Sequence, residues 1–196
     1  NLNNRTGIYL EASDNNAITG NTASSNGGDG IVLEISGNNN LAGNTASLNA
    51  DNAIDLSYSN SNNITANTAN SNNFHGIFLG DSSSNNLIGN TLTSNFGVGI
   101  FLWSSNSNNR IERNTVNSNL GGINIAFSSN NNTITGNTVN SNTDSGIILA
   151  VSSNNNFTGN AATGNRDKDF SCISQETNID GSNTCGSENC DWLTCH

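Results

Sequence analysis

The tetrapeptide Gly-Ile-Phe-Leu at residues 76–79 returns unchanged at residues 99–102, one repeat further along the chain. Its pattern of a small residue, Ile, any residue and then Leu or Ile occurs seven times, starting at Gly7, Gly30, Ala53, Gly76, Gly99, Gly122 and Gly146. The successive steps are 23 residues, except for the last step of 24. Self-similarity at one fixed period is typical of solenoids, in which each repeat forms one layer of a stack.

Two columns of Asn accompany this repeat without exception. The first falls 14 or 15 residues after each repeat start, at Asn21, Asn44, Asn67, Asn90, Asn114, Asn137 and Asn160. The second falls five residues later, at Asn26, Asn49, Asn72, Asn95, Asn119, Asn142 and Asn165. An Asn amide both donates and accepts, so side chains stacked about 4.8 Å apart can bond to one another or to the turn backbone. We therefore expect two structural Asn ladders at corners between strands.

Apolar residues alternate with polar ones between these corners, which indicates strands with one face turned inward. Two inward columns start at Ile8 and Leu10, a third precedes the first Asn column and a fourth follows it. No apolar stripe with the helical period survives. Each repeat holds about three short strands, which need stacking to acquire a core. The sequence predicts an all-β parallel β-helix of about seven coils over residues 1–165.

The charge of the chain limits its partners. Five Lys and Arg stand against 15 Asp and Glu, a net charge of −10. This balance excludes nucleic acid and anionic membrane surfaces as expected partners, whereas cations and neutral glycans are electrostatically acceptable. No apolar run approaches the length of a membrane span, so no membrane insertion is expected.

All four Cys lie in the last part of the chain, at Cys172, Cys185, Cys190 and Cys195. Residues 166–196 also break the repeat, so we interpret them as a disulfide-stapled cap or docking tail. Four Cys allow three pairings, which the sequence does not separate, and disulfides indicate an oxidising compartment. We expect an exported protein, extracellular or at the cell surface.

One stretch of the chain resembles a known family. Asn-Asn-Thr-Ile-Thr-Gly-Asn-Thr-Val-Asn-Ser-Asn at residues 131–142, followed by Ser-Gly-Ile-Ile-Leu at residues 145–149, is similar to the repeats of NosD-type, pectate-lyase-like parallel β-helix proteins. The resemblance covers residues 1 to about 165 and implies a right-handed helix, as does the general rule for parallel crossovers. It implies several functions, because the family includes polysaccharide lyases and hydrolases, proteins described as periplasmic copper-binding, and surface proteins of archaea and bacteria.

Three carboxylates are the candidates for chemistry on an outward strand face. Glu11 and Glu34 share one outward column in adjacent coils, and Asp55 lies one coil further on and two residues earlier in its strand. A spacing of about 5 Å suits paired acid and base work, or a hard cation such as Ca²⁺ at Glu11 and Glu34. However, no Lys, Arg or His occupies that face in the same coils, and the paired-Asp and Gly-His-Gly motifs of polygalacturonases are absent. A solvated acidic patch is favoured, and no enzymatic activity is expected.

Phe78, Phe101 and Trp103 form a second outward feature, an apolar patch across adjacent coils. Three interpretations stay open for this patch: cover by the loop at residues 73–75, lateral packing against another subunit, and stacking of sugar rings.

A copper site is not expected, because copper needs imidazole or soft sulfur ligands. His75 and His196 are the only His, Met is absent, and the spacing of the tail Cys up to His196 matches no common metal site. No cofactor is expected beyond the Ca²⁺ candidate. Four Asn-x-Ser/Thr sequons are candidate glycosylation sites, at Asn4, Asn63, Asn131 and Asn156.

The two ends of the predicted stack differ. Leu2 takes the phase of Leu48, so we expect the chain to start in the last strand of a coil with no capping element before it. Two interpretations stay open for this start: a domain of a longer protein whose cap is missing, or an open end that contacts another subunit. An open end favours head-to-tail contacts between copies. We therefore expect a non-enzymatic, exported structural protein that self-assembles into a surface layer, sheath or fibre. The alternative is a β-helix that binds or cleaves polysaccharides, with cell-surface glycans as partners.

Overall fold

The strands of the chain run parallel and stack into three sheets, as the computed structural model shows for residues 3–173, 177–193, 195 and 196. Each turn of the chain adds a strand to the same sheets, so the architecture is a parallel β-solenoid and the predicted all-β fold is confirmed. Within these residues, no helix is long and apolar enough to cross a bilayer. The expectation for the start of the chain rests on Asn1 and Leu2, which lie outside the described residues.

The strands are numbered in chain order. Sheet 1 contains β1 (Ile8–Glu11), β3 (Ile31–Glu34), β5 (Ile54–Ser57), β8 (Ile77–Gly80), β11 (Val98–Trp103), β14 (Gly121–Ala126), β17 (Ile147–Ala150) and β20 (Phe170–Cys172). Sheet 2 contains β2 (Ala17–Thr19), β4 (Asn40–Ala42), β6 (Asn63–Thr65), β9 (Asn86–Ile88), β12 (Arg110–Glu112), β15 (Thr133–Thr135), β18 (Asn156–Thr158) and β21 (Ile179–Gly181). Sheet 3 contains β7 (Thr68–Asn70), β10 (Thr91–Thr93), β13 (Thr115–Asn117), β16 (Thr138–Asn140), β19 (Ala161–Thr163) and β22 (Thr184–Cys185).

The predicted inward columns form one continuous core. The first inward column of sheet 1 starts at Ile8, and from Ile31 to Phe170 none of its members is more than 1% exposed. Ile8, in the first layer, is only partly buried. Core packing also explains the small residue that starts each repeat, since a Cβ on Gly99 would lie 2.2 Å from Val116 Cγ1. Burial of these columns is the main source of stability, because each coil alone has almost no interior.

Asn ladders hold the corners. In the first ladder, Asn90 donates from its backbone N and its Nδ2 to Asn114 Oδ1, at 2.8 and 3.0 Å. Asn114 Nδ2 in turn donates to Asn137 Oδ1 at 3.0 Å and to the Leu87 carbonyl at 2.9 Å. The second predicted ladder has the same geometry. A third ladder, which was not predicted, runs through Asn39, Asn62, Asn85, Asn109, Asn132, Asn155 and Asn178.

The corner at residues 104–105 carries an extra residue, and the corner at residues 127–128, one coil further on, carries one as well. The ladder rungs Ser82 and Asn106 are 24 residues apart, whereas sheet 1 keeps a 23-residue register beside them. Ser104 and Ser105 accommodate the difference in left-handed conformations, with φ of 65° and 48°. Asn106 Nδ2 donates to the carbonyls of Trp103 and Ser104, both at 2.8 Å. The extra residue is accommodated within the corner, and the strands on either side keep their pairing.

The first part of the tail continues the stack. β20, β21 and β22 add one strand to each sheet, so the two long sheets have eight strands, one more than the seven predicted coils. The repeat pattern is hidden there, because Phe170 and Cys172 take the inward positions that Ile and Leu hold in most other coils.

Two disulfides staple the tail, Cys172–Cys190 and Cys185–Cys195, which answers the open question of pairing. Cys190 and Leu193 are buried against the core, and the Trp192 ring lies 5.3 Å from the Phe157 ring. Apolar tail residues thus pack over the end of the core. That residues 166–196 act as a separate cap or docking unit stays a prediction.

Candidate functional site

Both candidate groups lie on the outer face of sheet 1, where two outward columns run side by side. The first column contains Tyr9, Val32, Asp55, Phe78, Phe101, Asn124, Ile148 and Ser171. The second contains Glu11, Glu34, Ser57, Gly80, Trp103, Ala126 and Ala150. The face therefore has an acidic end, defined as Tyr9, Glu11, Glu34 and Asp55, and an aromatic middle.

Glu11 and Glu34 are register partners in adjacent strands, as predicted. The Tyr9 hydroxyl, one coil below Glu34, donates a hydrogen bond to the Glu34 carboxylate. This bond is the main reason that the Tyr9 pKa is raised to about 12, because it stabilises the protonated phenol beside two carboxylates. Tyr9 thus stays a hydrogen-bond donor at any physiological pH. Tyr9 was not among the predicted site residues, although it occupies the same outward column as Asp55.

Asp55 has a different environment from the two Glu residues. Its oxygens accept hydrogen bonds from Asn52 Nδ2 at 3.0 Å and Ser57 Oγ at 2.9 Å. Burial nevertheless raises the Asp55 pKa to about 6, and the nearby Asp29 and Asp51 add to the effect. Among the described residues, the three predicted carboxylates do not meet within ligand distance of one another. Asp55 therefore forms no three-carboxylate cluster with Glu11 and Glu34.

Six rings make up the aromatic array, in which each ring touches the next. The chain of contacts runs Phe74, His75, Phe78, Phe101, Trp103 and Phe127. The ring centroids of Phe101 and Trp103 are 5.4 Å apart, and those of Trp103 and Phe127 are 4.3 Å apart, all edge to face. Such packing is favourable beyond the area that it buries. The array spans three successive coils.

Loop cover explains only one end of the array. His75 packs against Phe78 and Phe101, with centroids 5.9 and 5.0 Å apart, so the loop at residues 73–75 does cover part of the patch. Trp103 and Phe127 remain 44% and 46% exposed. The uncovered end of the array is therefore a rigid aromatic surface open to solvent.

His75 belongs to a short ladder that was not predicted from the sequence. Asp29 Oδ1 accepts from the Asn52 backbone N at 3.0 Å, and Asn52 Oδ1 accepts from the His75 backbone N at 3.1 Å. His75 Nδ1 then accepts from the Val98 backbone N at 2.9 Å. Burial lowers the His75 pKa to about 4, so the imidazole is neutral at pH 7. Its role in this arrangement is structural.

The corner that follows sheet 1 adds bulky side chains beside the face. Ile35, Tyr58, Phe127 and Val151 stand there with left-handed φ between 50° and 54°. All four are between 46% and 63% exposed. A β-branched residue in this conformation is strained, and the cost is about 1–2 kcal/mol. The corner thus keeps exposed apolar groups where a Gly would be more stable.

Cations are absent from the two outward columns of sheet 1. Arg5 precedes β1, and Arg166 and Lys168 lie before β20. Arg110 and Arg113 both pair with Glu112 at β12, the latter at 3.0 Å, on sheet 2. The sheet 1 face therefore combines aromatic rings and carboxylates with no positive charge.

The predicted sequons differ in accessibility. Asn4, Asn63 and Asn131 are exposed, whereas Asn156 is half-buried and accepts a hydrogen bond from Thr158 Oγ1 at 2.8 Å. Glycosylation at all four stays a prediction.

The fold and this face define a parallel β-solenoid with one aromatic and acidic sheet surface. The chain belongs to the family described as "Periplasmic copper-binding protein (NosD)", which matches residues 1–121 and again residues 105–189. None of the curated proteins matches the chain.

Solved structures of an alginate epimerase and of a mannuronan C-5 epimerase are similar in fold. The periplasmic alginate epimerase AlgG aligns with a TM-score of 0.84 at 21% identity, over 94% of this chain and 47% of that one. The A-module of the Azotobacter vinelandii mannuronan C-5 epimerase AlgE4 aligns with a TM-score of 0.61 at 14% identity, over 93% of this chain and 58% of that one. The chain spans about half the length of the solved structures it matches. The likeness shows a shared fold.

The residues present do not fit the copper that the family description names. Copper centres use imidazole or soft sulfur ligands, yet Met is absent and all four Cys are in disulfides. His75 is enclosed by Phe rings and its Nδ1 already accepts a hydrogen bond. Over the described parts of the chain, the one cluster of three metal-binding residue types is Cys185, Glu188 and Cys195, and its two Cys are bonded to each other.

Proposed function

We propose that this chain is an exported polysaccharide-binding protein that holds its ligand on the outer face of sheet 1. The observation that carries the proposal is the aromatic array, whose rings touch in sequence and leave Trp103 and Phe127 exposed. Sugar rings have apolar C–H faces that pack on aromatic rings, while their hydroxyls bond to polar groups at the rim.

The rigidity of the face supports binding. Phe101 and Trp103 stand on one strand of an eight-stranded sheet, with paired strands on both sides. A ligand on this surface orders few protein groups, so little affinity is lost to conformational entropy. The strained corner beside it, with Tyr58 and Phe127, extends the apolar surface at a cost in stability.

The comparisons support the same choice. By name, AlgG is an alginate epimerase and AlgE4 is a mannuronan C-5 epimerase, so a solenoid of this fold has polysaccharide-modifying relatives in fold. Export is supported by the two disulfides and by a family described as periplasmic. These findings favour a polysaccharide-binding protein over the structural fibre subunit that the sequence favoured.

Trp103→Ala tests the binding face. We expect this variant to lose about ten-fold in affinity for its polysaccharide, equivalent to roughly 1.4 kcal/mol, measured by affinity electrophoresis and then calorimetry. The matched control is Phe96→Ala, since Phe96 is 77% exposed but outside the sheet 1 columns. Equal affinities for wild type and Trp103→Ala, or an equal loss in Phe96→Ala, would reject this face.

A carbohydrate-active enzyme is the second candidate. The pKa of Asp55, raised to about 6 on this same face, is suitable for a general base near neutral pH. The test is NMR of polysaccharide products after incubation with wild type and with Asp55→Asn. Product formed by wild type and not by the variant would establish catalysis.

Head-to-tail self-association also stays a prediction. Sedimentation of the purified chain over a range of concentrations, with and without divalent cations, tests it. A monomer under every condition would reject the fibre hypothesis.

A further inference from the structure

The charge pattern of the sheet 1 face restricts which polysaccharide fits it. Coils one to three carry Glu11, Glu34 and Asp55 in the outward columns, directly before the aromatic array of the next coils. Asp29 and Asp51, which act electrostatically on Asp55, are also negative. No Lys or Arg lies in either column, and the chain has a net charge of −10. A polyanion would meet repulsion along this half of the face.

We infer that the ligand is a polysaccharide with free amino groups, a deacetylated hexosamine polymer, and not a polyuronate such as the alginate of the epimerases. This inference rests on the proposed function, because it names the substrate class of the same face. An ammonium group fits both parts of the face. It pairs with carboxylates at the acidic end, and it is attracted to the electron-rich faces of aromatic rings in the array.

Two features place the carboxylates for such a ligand. The Tyr9 hydroxyl bonds to Glu34 and orients its carboxylate, so that one side of the group is held by the protein. Asp55 is a direct register partner of Phe78, which brings a carboxylate next to the first outward ring of the array. One polysaccharide chain that lies across successive coils can thus stack on Phe101 and Trp103 and form ion pairs at the acidic end.

The test compares two glucosamine hexamers that differ only in N-acetylation, and adds a mannuronate oligomer as the polyanion. Isothermal titration calorimetry of the whole chain is run with a β-1,4-linked glucosamine hexamer, its fully N-acetylated counterpart, and a mannuronate oligomer with and without CaCl₂. In low-salt buffer at about pH 6.5, where Asp55 with its pKa of about 6 is mostly ionised, we expect the amine hexamer to bind about ten-fold more tightly than the acetylated one. The advantage should nearly vanish in about 1 M NaCl, where charges are screened beyond about 3 Å.

Glu34→Gln supplies the matched variant. Gln keeps an acceptor for the Tyr9 hydroxyl, so the fold is retained, but it removes one negative charge. We expect about a three-fold to five-fold loss of affinity for the amine hexamer, with no change for the acetylated one. Asp144→Asn is the control, because it removes the same charge from an exposed turn before β17, five coils from Glu34.

The outcomes separate the inference from the proposed function. Equal binding of the two hexamers, tighter binding of mannuronate, or binding of mannuronate through Ca²⁺ would overturn the inference and leave polysaccharide binding in place. Binding of none of the sugars tested, together with no effect of Trp103→Ala on any polysaccharide, would overturn both.

Discussion

The energetic role of the corner ladders is tested by Asn114→Ala, a change in the middle of the first ladder. Asn114 is 1% exposed, and its Oδ1 accepts from both the backbone N and the Nδ2 of Asn90. Its own Nδ2 donates to Asn137 Oδ1 and to the Leu87 carbonyl. Ala removes all of these side-chain bonds and leaves the buried Asn90 N–H without its acceptor.

The expected loss follows from these contacts. An unsatisfied buried N–H costs about 1–3 kcal/mol, and each of the three other lost bonds contributes about 0.5–1 kcal/mol. The free energy of unfolding should therefore fall by about 4 kcal/mol, a large part of the roughly 5–15 kcal/mol that holds a typical domain. Equilibrium unfolding in urea, followed by circular dichroism, measures the difference.

Asn21→Ala is the matched control, at the exposed first rung of the same ladder. Asn21 Nδ2 bonds at 3.2 Å to both Asn44 Oδ1 and the Thr19 carbonyl, and water can replace these bonds. We expect a loss under about 1 kcal/mol. Equal losses in the two variants would refute the reasoning, because the ladder would then contribute nothing through burial.

Two further predictions concern pH and the tail. The pKa of Asp55 is raised to about 6, so its contribution to the free energy of unfolding falls as pH rises through that value. The pKa of His75 is lowered to about 4, so its contribution falls as pH drops from about 6.5 to 4. Asp55→Asn removes the first pH dependence. On going from about pH 7 to pH 4, the free energy of unfolding of the variant, measured in urea, should fall by up to about 3 kcal/mol relative to wild type. Parallel plots of unfolding free energy against pH for the two proteins would contradict this. Removal of the Cys172–Cys190 bridge by Ala substitutions, which opens a span of 18 residues, should lower the stability of the tail by about 3 kcal/mol. Hydrogen exchange should then quicken in β20 and stay unchanged in β10, and uniform quickening would show that the tail and the repeats unfold as one unit.

The fold was accessible from the sequence because one pattern is repeated in every coil. Period-two apolar columns identify the inward faces, and a 23-residue step aligns them, so even the register of Glu11 with Glu34 could be predicted. The eighth layer could not, because Phe170 and Cys172 replace the usual Ile and Leu there. The third Asn ladder was visible in the same spacing and was overlooked.

The site was harder to predict, because its side chains do not repeat. That the carboxylates occupy the outward columns follows from strand alternation, but their separation into Asp55 and the Tyr9–Glu34 pair depends on side-chain directions. The ring of His75 also has no sequence signal, since its backbone position belongs to a ladder that is only three residues long.

The extra residue at Ser104 and Ser105 shows how this scaffold can change. Two left-handed residues and the side chain of Asn106 absorb it without shifting the strands on either side. The corner is adjacent to Trp103, the more exposed of the two aromatic residues of β11. Longer loops can therefore be grafted beside the aromatic array at this junction, by evolution or by design, while the underlying stack remains the same.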